Sequence, residues 1–167
     1  DCYFLSTFQP KDLAVILNNH PSLIRNLNTQ LNNLEEFVIY LSEIPLPTLE
    51  VILPHTIQLF QNRLDNIPQV FDIIGPEKTD FFIKQLPLII KSCYHFERIT
   101  EHLSVAQLSQ VFEVLKGRWL RIIGHQQDFE RVIKSLSIEQ RQQVIDELKQ
   151  DLLKIIALSK GNKSFLE

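Results

Sequence analysis

Apolar residues recur along the chain at helical rather than alternating spacing. From Phe129 they fall at offsets 0, 3 and 7, then at 15 and 19, then between 22 and 27. That pattern reads as a short amphipathic helix followed by a longer one. It also repeats. Phe96-Glu97-Arg98-Ile99 recurs as Phe129-Glu130-Arg131-Val132, an offset of 33. At the same offset Leu103 maps to Leu136, Ser104 to Ser137, Gln107 to Gln140, Val111 to Val144, Leu115-Lys116 to Leu148-Lys149 and Ile122-Ile123 to Ile155-Ile156. A shift of 29 places Ile67, Val70, Ile74, Phe82 and Leu86 under Phe96, Ile99, Leu103, Val111 and Leu115. The offset of 33 then returns for Leu34, Phe37, Leu41, Leu49, Leu53-Pro54 and Ile57, with Phe4, Phe8, Ile16, His20-Pro21 and Ile24 one step earlier. Internal periods of this length signal stacked helical units. The copies run near 1–33, 34–66, 67–95, 96–128 and 129–161.

Each copy carries its own punctuation. Ser104-Val105-Ala106-Gln107 and Ser137-Ile138-Glu139-Gln140 are capping boxes, in which Ser and Gln satisfy the free amides of a helix start. Gln9-Pro10 and Gly75-Pro76 place Pro at a first helical position, where its missing N–H costs nothing. The second helix of the last copy is expected from Ile138 to about Leu158, with Gly124 and Gly161 as stops for the last two copies. Pro21, Pro54 and Pro87 share one register inside the second helices and should kink or split them. Lys116 and Lys149 stand at that register in the last two copies, which should stay straight. A loop is expected around Cys93-Tyr94-His95, where the register shortens.

The predicted fold is all-α. It is a single domain of stacked short-helix/long-helix hairpins of about 33 residues, as an α-solenoid or a compact array. Its repeat core is Phe96, Leu103, Val111, Leu115 and Trp119, matched by Phe129, Leu136, Val144, Leu148 and Leu152. Ala occurs three times, so the helices should pack through Leu, Ile and Phe at ordinary spacing.

Composition narrows the function classes. Leu, Ile, Phe and Val make up 65 of 167 residues, enough for a packed core rather than a disordered chain. Net charge is −3, which argues against a generic nucleic-acid binder. Residues 1–66 carry three basic and seven acidic groups, whereas 95–167 carry eleven and ten. No uncharged apolar run approaches the roughly 18 residues of a membrane span. The two Cys cannot form a disulfide framework and are expected to be reduced in a cytoplasmic setting. There is no Met, and residues 162–167 read like the lead-in to another short helix. Both features predict an excerpt from a longer repeat array or multidomain protein.

Candidate chemistry is sparse. His95, His102 and Cys93 hint at a metal site, but zinc needs three or four convergent ligands at recognisable spacing, and no metal or other cofactor is expected. Cys93 and His95 at i and i+2 point to different helix faces, with no third residue to orient a base. Glu97 with Glu101, and Glu147 with Asp151, share faces at i, i+4 beside basic neighbours and read as solvated charge. No glycine-rich phosphate loop exists, and no enzyme is predicted. Lys116, Arg118, Arg121 and His125 form a basic cluster around Trp119, with the last three expected on one helix face. The cluster suggests a surface for anionic lipid, such as phosphoinositide head groups. The Trp itself falls at a core register shared with Leu152, Ile90, Ile57 and Ile24.

The repeat Phe-Glu-Arg-Val/Ile…Leu-Ser-x-x-Gln…Val…Leu-Lys…Ile-Ile, on residues 96–123 and 129–156, resembles the degenerate helical repeats of secreted effector proteins of intracellular bacteria. The Ile-, Asn-, Lys- and Gln-rich composition is similar to theirs. The resemblance implies a virulence protein delivered to the host cytosol, acting through a host protein or a membrane lipid. The leading expectation is a non-catalytic protein-binding scaffold. The alternatives are membrane targeting through the basic cluster, and a helical accessory domain of an enzyme whose active site lies elsewhere.

Overall fold

The computed structural model describes residues 7–30, 34–152 and Ile155, with side chains described throughout these except at 26–30 and Leu34. Cys2, Phe4, Lys154, Ile156, Leu158, Gly161 and residues 162–167 lie outside them. Among the described residues the fold is all-α, with eleven helices and no strand. They are α1 (Pro10–Asn19), α2 (Pro21–Gln30), α3 (Leu34–Glu43), α4 (Leu46–Thr56), α5 (Ile67–Ile74), α6 (Pro76–Gln85), α7 (Cys93–Thr100), α8 (Val105–Leu115), α9 (Trp119–Ile122), α10 (Gln126–Lys134) and α11 (Ile138–Leu148). Short 3₁₀ turns at Ile57–Phe60, Leu64–Asn66 and Leu86–Leu88 complete the set. No described helix is long and apolar enough to cross a membrane.

The helix starts follow local chemistry. Ser104 and Ser137 each accept from the third helical amide at 3.3 Å, and Gln107 and Gln140 each accept from the Ser amide at 3.0 Å. Pro10 and Pro76 open α1 and α6. Gly75 precedes Pro76 at φ +82°, a left-handed conformation that a side chain would strain. The Pro register interrupts as expected. Pro21 opens a new helix after α1, α4 tightens into a 3₁₀ turn soon after Pro54, and Pro87 sits inside the turn that ends α6.

Three local expectations are corrected. Lys116 does not carry its helix onward: α8 stops at Leu115, Lys116 turns to ψ 138°, and Gly117 takes φ +75°. The break comes from Gly117, which adopts the left-handed region without a Cβ penalty. The second helix of the last copy does not run unbroken: α11 stops at Leu148 and residues 149–151 form a turn, with the Asp151 amide bonded to the Leu148 carbonyl at 2.8 Å, before helical backbone resumes at Leu152 and Ile155, while Leu158 lies outside the described residues. Finally, Cys93-Tyr94-His95 is no loop but the first turn of α7. Ser92 accepts from the His95 amide, and His95 Nδ1 accepts from the Lys91 amide, both at 3.3 Å.

The chain divides into two compact units, 1–89 and 90–167, meeting where the sequence register shortens. In the first, α3 packs on α5, while α4 packs on both α1 and α6. Its core is a chain of rings. Phe37, Phe60, Phe82 and Phe71 follow one another at centroid distances of 5.5, 5.1 and 5.5 Å, the last two contacts edge-on. In the second, α7 packs on α10 and α9 on α11. Trp119 is 1% exposed and lies 5.4 Å from both Phe96 and Phe112. Three buried threonines, Thr56, Thr79 and Thr100, donate to the carbonyls four residues back, of Ile52, Gly75 and Phe96.

Candidate functional site

The basic cluster around Trp119 lies on an interrupted piece of chain. Arg118 is the residue before α9 and Arg121 is in its last turn, both exposed. His125 is not on their helix face: α9 ends at Ile122, Ile123 is extended, and His125 begins α10 with φ −139° and ψ 164°. The continuous helix that would have aligned all three does not exist. Lys116 pairs with Glu113 at 2.6 Å and lies 5.8 Å from the centre of the Phe112 ring. The Trp119 ring is buried, so the exposed apolar group beside Arg118 and Arg121 is Leu120, 51% exposed.

A carboxylate holds this bend. Glu147 of α11 accepts from the Gly117 amide at 2.8 Å and from the Trp119 amide at 3.1 Å. The Trp119 indole Nε1–H is buried without a hydrogen-bond partner among the described residues. Reading Glu147 beside Asp151 as a solvated face therefore missed its task. The signal available was Gly117 itself, whose left-handed turn leaves amides pointing outward in need of an acceptor.

Of the other core positions expected from the sequence, Phe96, Val111, Leu115, Leu136, Val144 and Leu148 are buried. Leu103, Phe129 and Leu152 are half-buried. Phe129 and Leu152 line a pocket of about 240 Å³ with Gln126, Glu130 and Ile155. Cys93 is buried, and burial pushes its thiol above the ordinary range, with Asp128 and Glu97 adding to the shift and Arg131 opposing it. That disfavours the thiolate a nucleophile needs. Among the described residues no group of three or more His, Cys, Asp or Glu is placed to hold a metal ion.

Two grooves, one in each unit, stand out. The first lies between α3 and α5, encloses about 380 Å³, and is lined by Glu35, Val38, Ile39, Asn66, Gln69, Val70 and Ile73. The second lies between α7 and α10 and is larger, about 750 Å³. Its lining includes Tyr94, Glu97, Arg98, Glu101, Arg131 and Lys134, with the Arg98 guanidinium 6.0 Å from the Tyr94 ring centre. The linings correspond. At an offset of 62 residues Glu35, Val38, Ile39, Gln69 and Ile73 become Glu97, Thr100, Glu101, Arg131 and Ser135. Helical periodicity reveals neither groove, because it registers inward positions such as Val70, whereas the lips that make each groove, such as Ile39, Ile73, Glu101 and Ser135, face outward.

Compared with known protein families, curated proteins and solved structures, the chain has no match.

Proposed function

We propose that the chain is a non-catalytic protein-interaction module built from degenerate helical repeats, serving as a scaffold that recognises another protein. The arrangement of helices supports the repeat reading. Within each unit, first helices pack on first helices (α3 on α5, α7 on α10), and in the first unit α1, α4 and α6 pack in series. Helices α5 and α10 each begin 33 residues after the helix they pack on. Stacked hairpins of this kind generate long surfaces whose outward residues are free to vary. The observation that carries the functional reading is the pair of grooves at one register with unlike linings. The resemblance to bacterial effectors makes a host protein the partner class.

The test is affinity capture with the full chain from host-cell lysate, followed by purified reconstitution of any protein retained. A stoichiometric complex between purified components is expected. No protein above background at high bait concentration overturns the reading.

A second reading, binding of anionic lipid head groups, is favoured by exposed Leu120 between Arg118 and Arg121. An apolar residue flanked by cations is the pattern of a shallow membrane contact. Flotation with phosphatidylserine vesicles tests it. Salt-sensitive binding lost in Arg118→Glu with Arg121→Glu supports it, and absence of binding rejects it.

A further inference from the structure

We propose that the groove between α3 and α5 docks an amphipathic helix of a basic protein partner. The inference rests on the interaction-module reading and assigns it a surface and a ligand chemistry.

Its apolar character is not demanded by the fold. Val38 and Val70 form a buried floor, but Ile39 and Ile73 are 49% and 54% exposed on the lips. At the same register the second unit carries Glu101 and Ser135, both exposed. The helix pair therefore tolerates polar residues there, and two exposed isoleucines facing one groove are an unpartnered apolar surface.

Charge selects the occupant. Helices α3 and α5 carry Glu35, Glu36, Glu43 and Asp72 and no Lys, Arg or His. Glu35 lines the groove, and on α3 helical spacing puts Glu35 and Glu36 one turn before Ile39 and Glu43 one turn after it. The cation of α6 that reaches α3, Lys78, donates to the carbonyl oxygens of Leu41 and Ser42 at 3.1 and 2.5 Å, closing the end of the helix. An apolar strip on a helix pair that carries four carboxylates and no cation complements aliphatic side chains bordered by Lys or Arg.

Geometry selects a helix over a strand. An extended peptide binds through unpaired backbone groups on its receptor, whereas the amides and carbonyls inside helices are already paired. A helix docks through side chains alone, presenting successive turns at i, i+4 and i+7 to a groove between two others. The carboxylates repel an anionic bilayer.

The test uses the full chain with labelled Ile and Val methyl groups, followed by NMR. The probe is a designed helical peptide of about five turns with a Leu stripe flanked by Lys. The expected result is methyl shifts at Ile39, Ile73, Val38 and Val70, with affinity at least about tenfold weaker when Glu replaces the peptide's Lys. Ile39→Glu with Ile73→Ser installs the residues found at the second unit's register and should weaken binding by at least the same factor while leaving the helical circular dichroism unchanged. Ile39→Ala with Ile73→Ala serves as the second variant if the first loses helicity. Equal binding of the Glu-flanked peptide, shifts confined to other methyl groups, or full affinity in the variants overturns the proposal. So does binding to phosphatidylserine vesicles that the variants abolish, which reassigns the groove to a membrane. If the variants still form the complex identified by capture from lysate, the groove assignment fails and the interaction reading stands; if the unmodified chain captures nothing, the interaction reading itself fails.

Discussion

The α3/α5 groove and the α7/α10 groove are built on helix pairs whose inward positions match. Phe37, Leu41, Val70 and Ile74 of the first pair stand where Ile99, Leu103, Val132 and Leu136 stand in the second. Every one of these is apolar, and all but the half-buried Leu103 are buried. Among the outward positions Glu35 and Glu97 are alike, but the rest diverge: Ile39 against Glu101, Asp72 against Lys134, Ile73 against Ser135. Burial constrains the first set through the loss of transfer energy and packing that any polar change brings. Nothing comparable in the packing constrains the second.

The deepest cores offer the strongest way to break the comparison. Phe60→Ala in the first unit and Trp119→Ala in the second each remove the ring at the centre of an aromatic cluster. Each should cost about 3–5 kcal/mol in urea denaturation. A loss below about 1 kcal/mol in either would mean that its cluster repacks freely and that the inward positions are less constrained than argued.

Next in size are the polar clasps. Glu147→Gln weakens acceptance from Gly117 and Trp119 and should cost about 1–2 kcal/mol, since the carboxylate is charged but exposed. Gly117→Ala should cost a similar roughly 1–2 kcal/mol through its left-handed backbone alone. Their double mutant should cost clearly less than the sum of the two, because both changes act on one bend. Full additivity in denaturation midpoints would separate the two features.

The groove exchange should be nearly silent in stability. Ile39→Glu with Ile73→Ser is expected to shift unfolding free energy by less than about 0.5 kcal/mol. The reverse change, Glu101→Ile with Ser135→Ile, should leave the fold intact and raise binding of a hydrophobic dye. A large loss of stability in the first variant would show that the isoleucines serve packing after all.

The smallest effect concerns Cys93. Its folded thiol titrates above its unfolded value, so the folded state holds the proton more tightly. The stability this contributes is complete below about pH 8.5, the unfolded thiol value, and declines as pH rises through the folded value. Alkylation at pH 8 should be much slower in the folded chain than in urea. Equal rates would place the thiol at the surface.

The all-helical class, the capping boxes at Ser104 and Ser137, the Pro starts at Pro10 and Pro76, and the Pro interruptions were legible because each depends on chemistry within one turn. The break at Lys116-Gly117 was misread. The Pro register drew attention to Lys116, while the decisive property was the absent Cβ of its neighbour. The short helix at Cys93 was also missed, since Ser92 and His95 cap it without a standard acidic or amide partner. The role of Glu147 and the two grooves depend on residues roughly 30 or more apart in sequence, which helical periodicity does not register.

The Glu147 clasp has a consequence for the order of folding. Its donors lie 30 and 28 residues upstream, whereas the capping boxes close over three. The turns at Ser104 and Ser137 can form as soon as their own segments collapse. The bend after α8 is completed only when α11 arrives, after a loop has been closed against chain entropy. The short helix at Trp119 should therefore be a late event, with substitutions at Glu147 speeding unfolding far more than they slow folding.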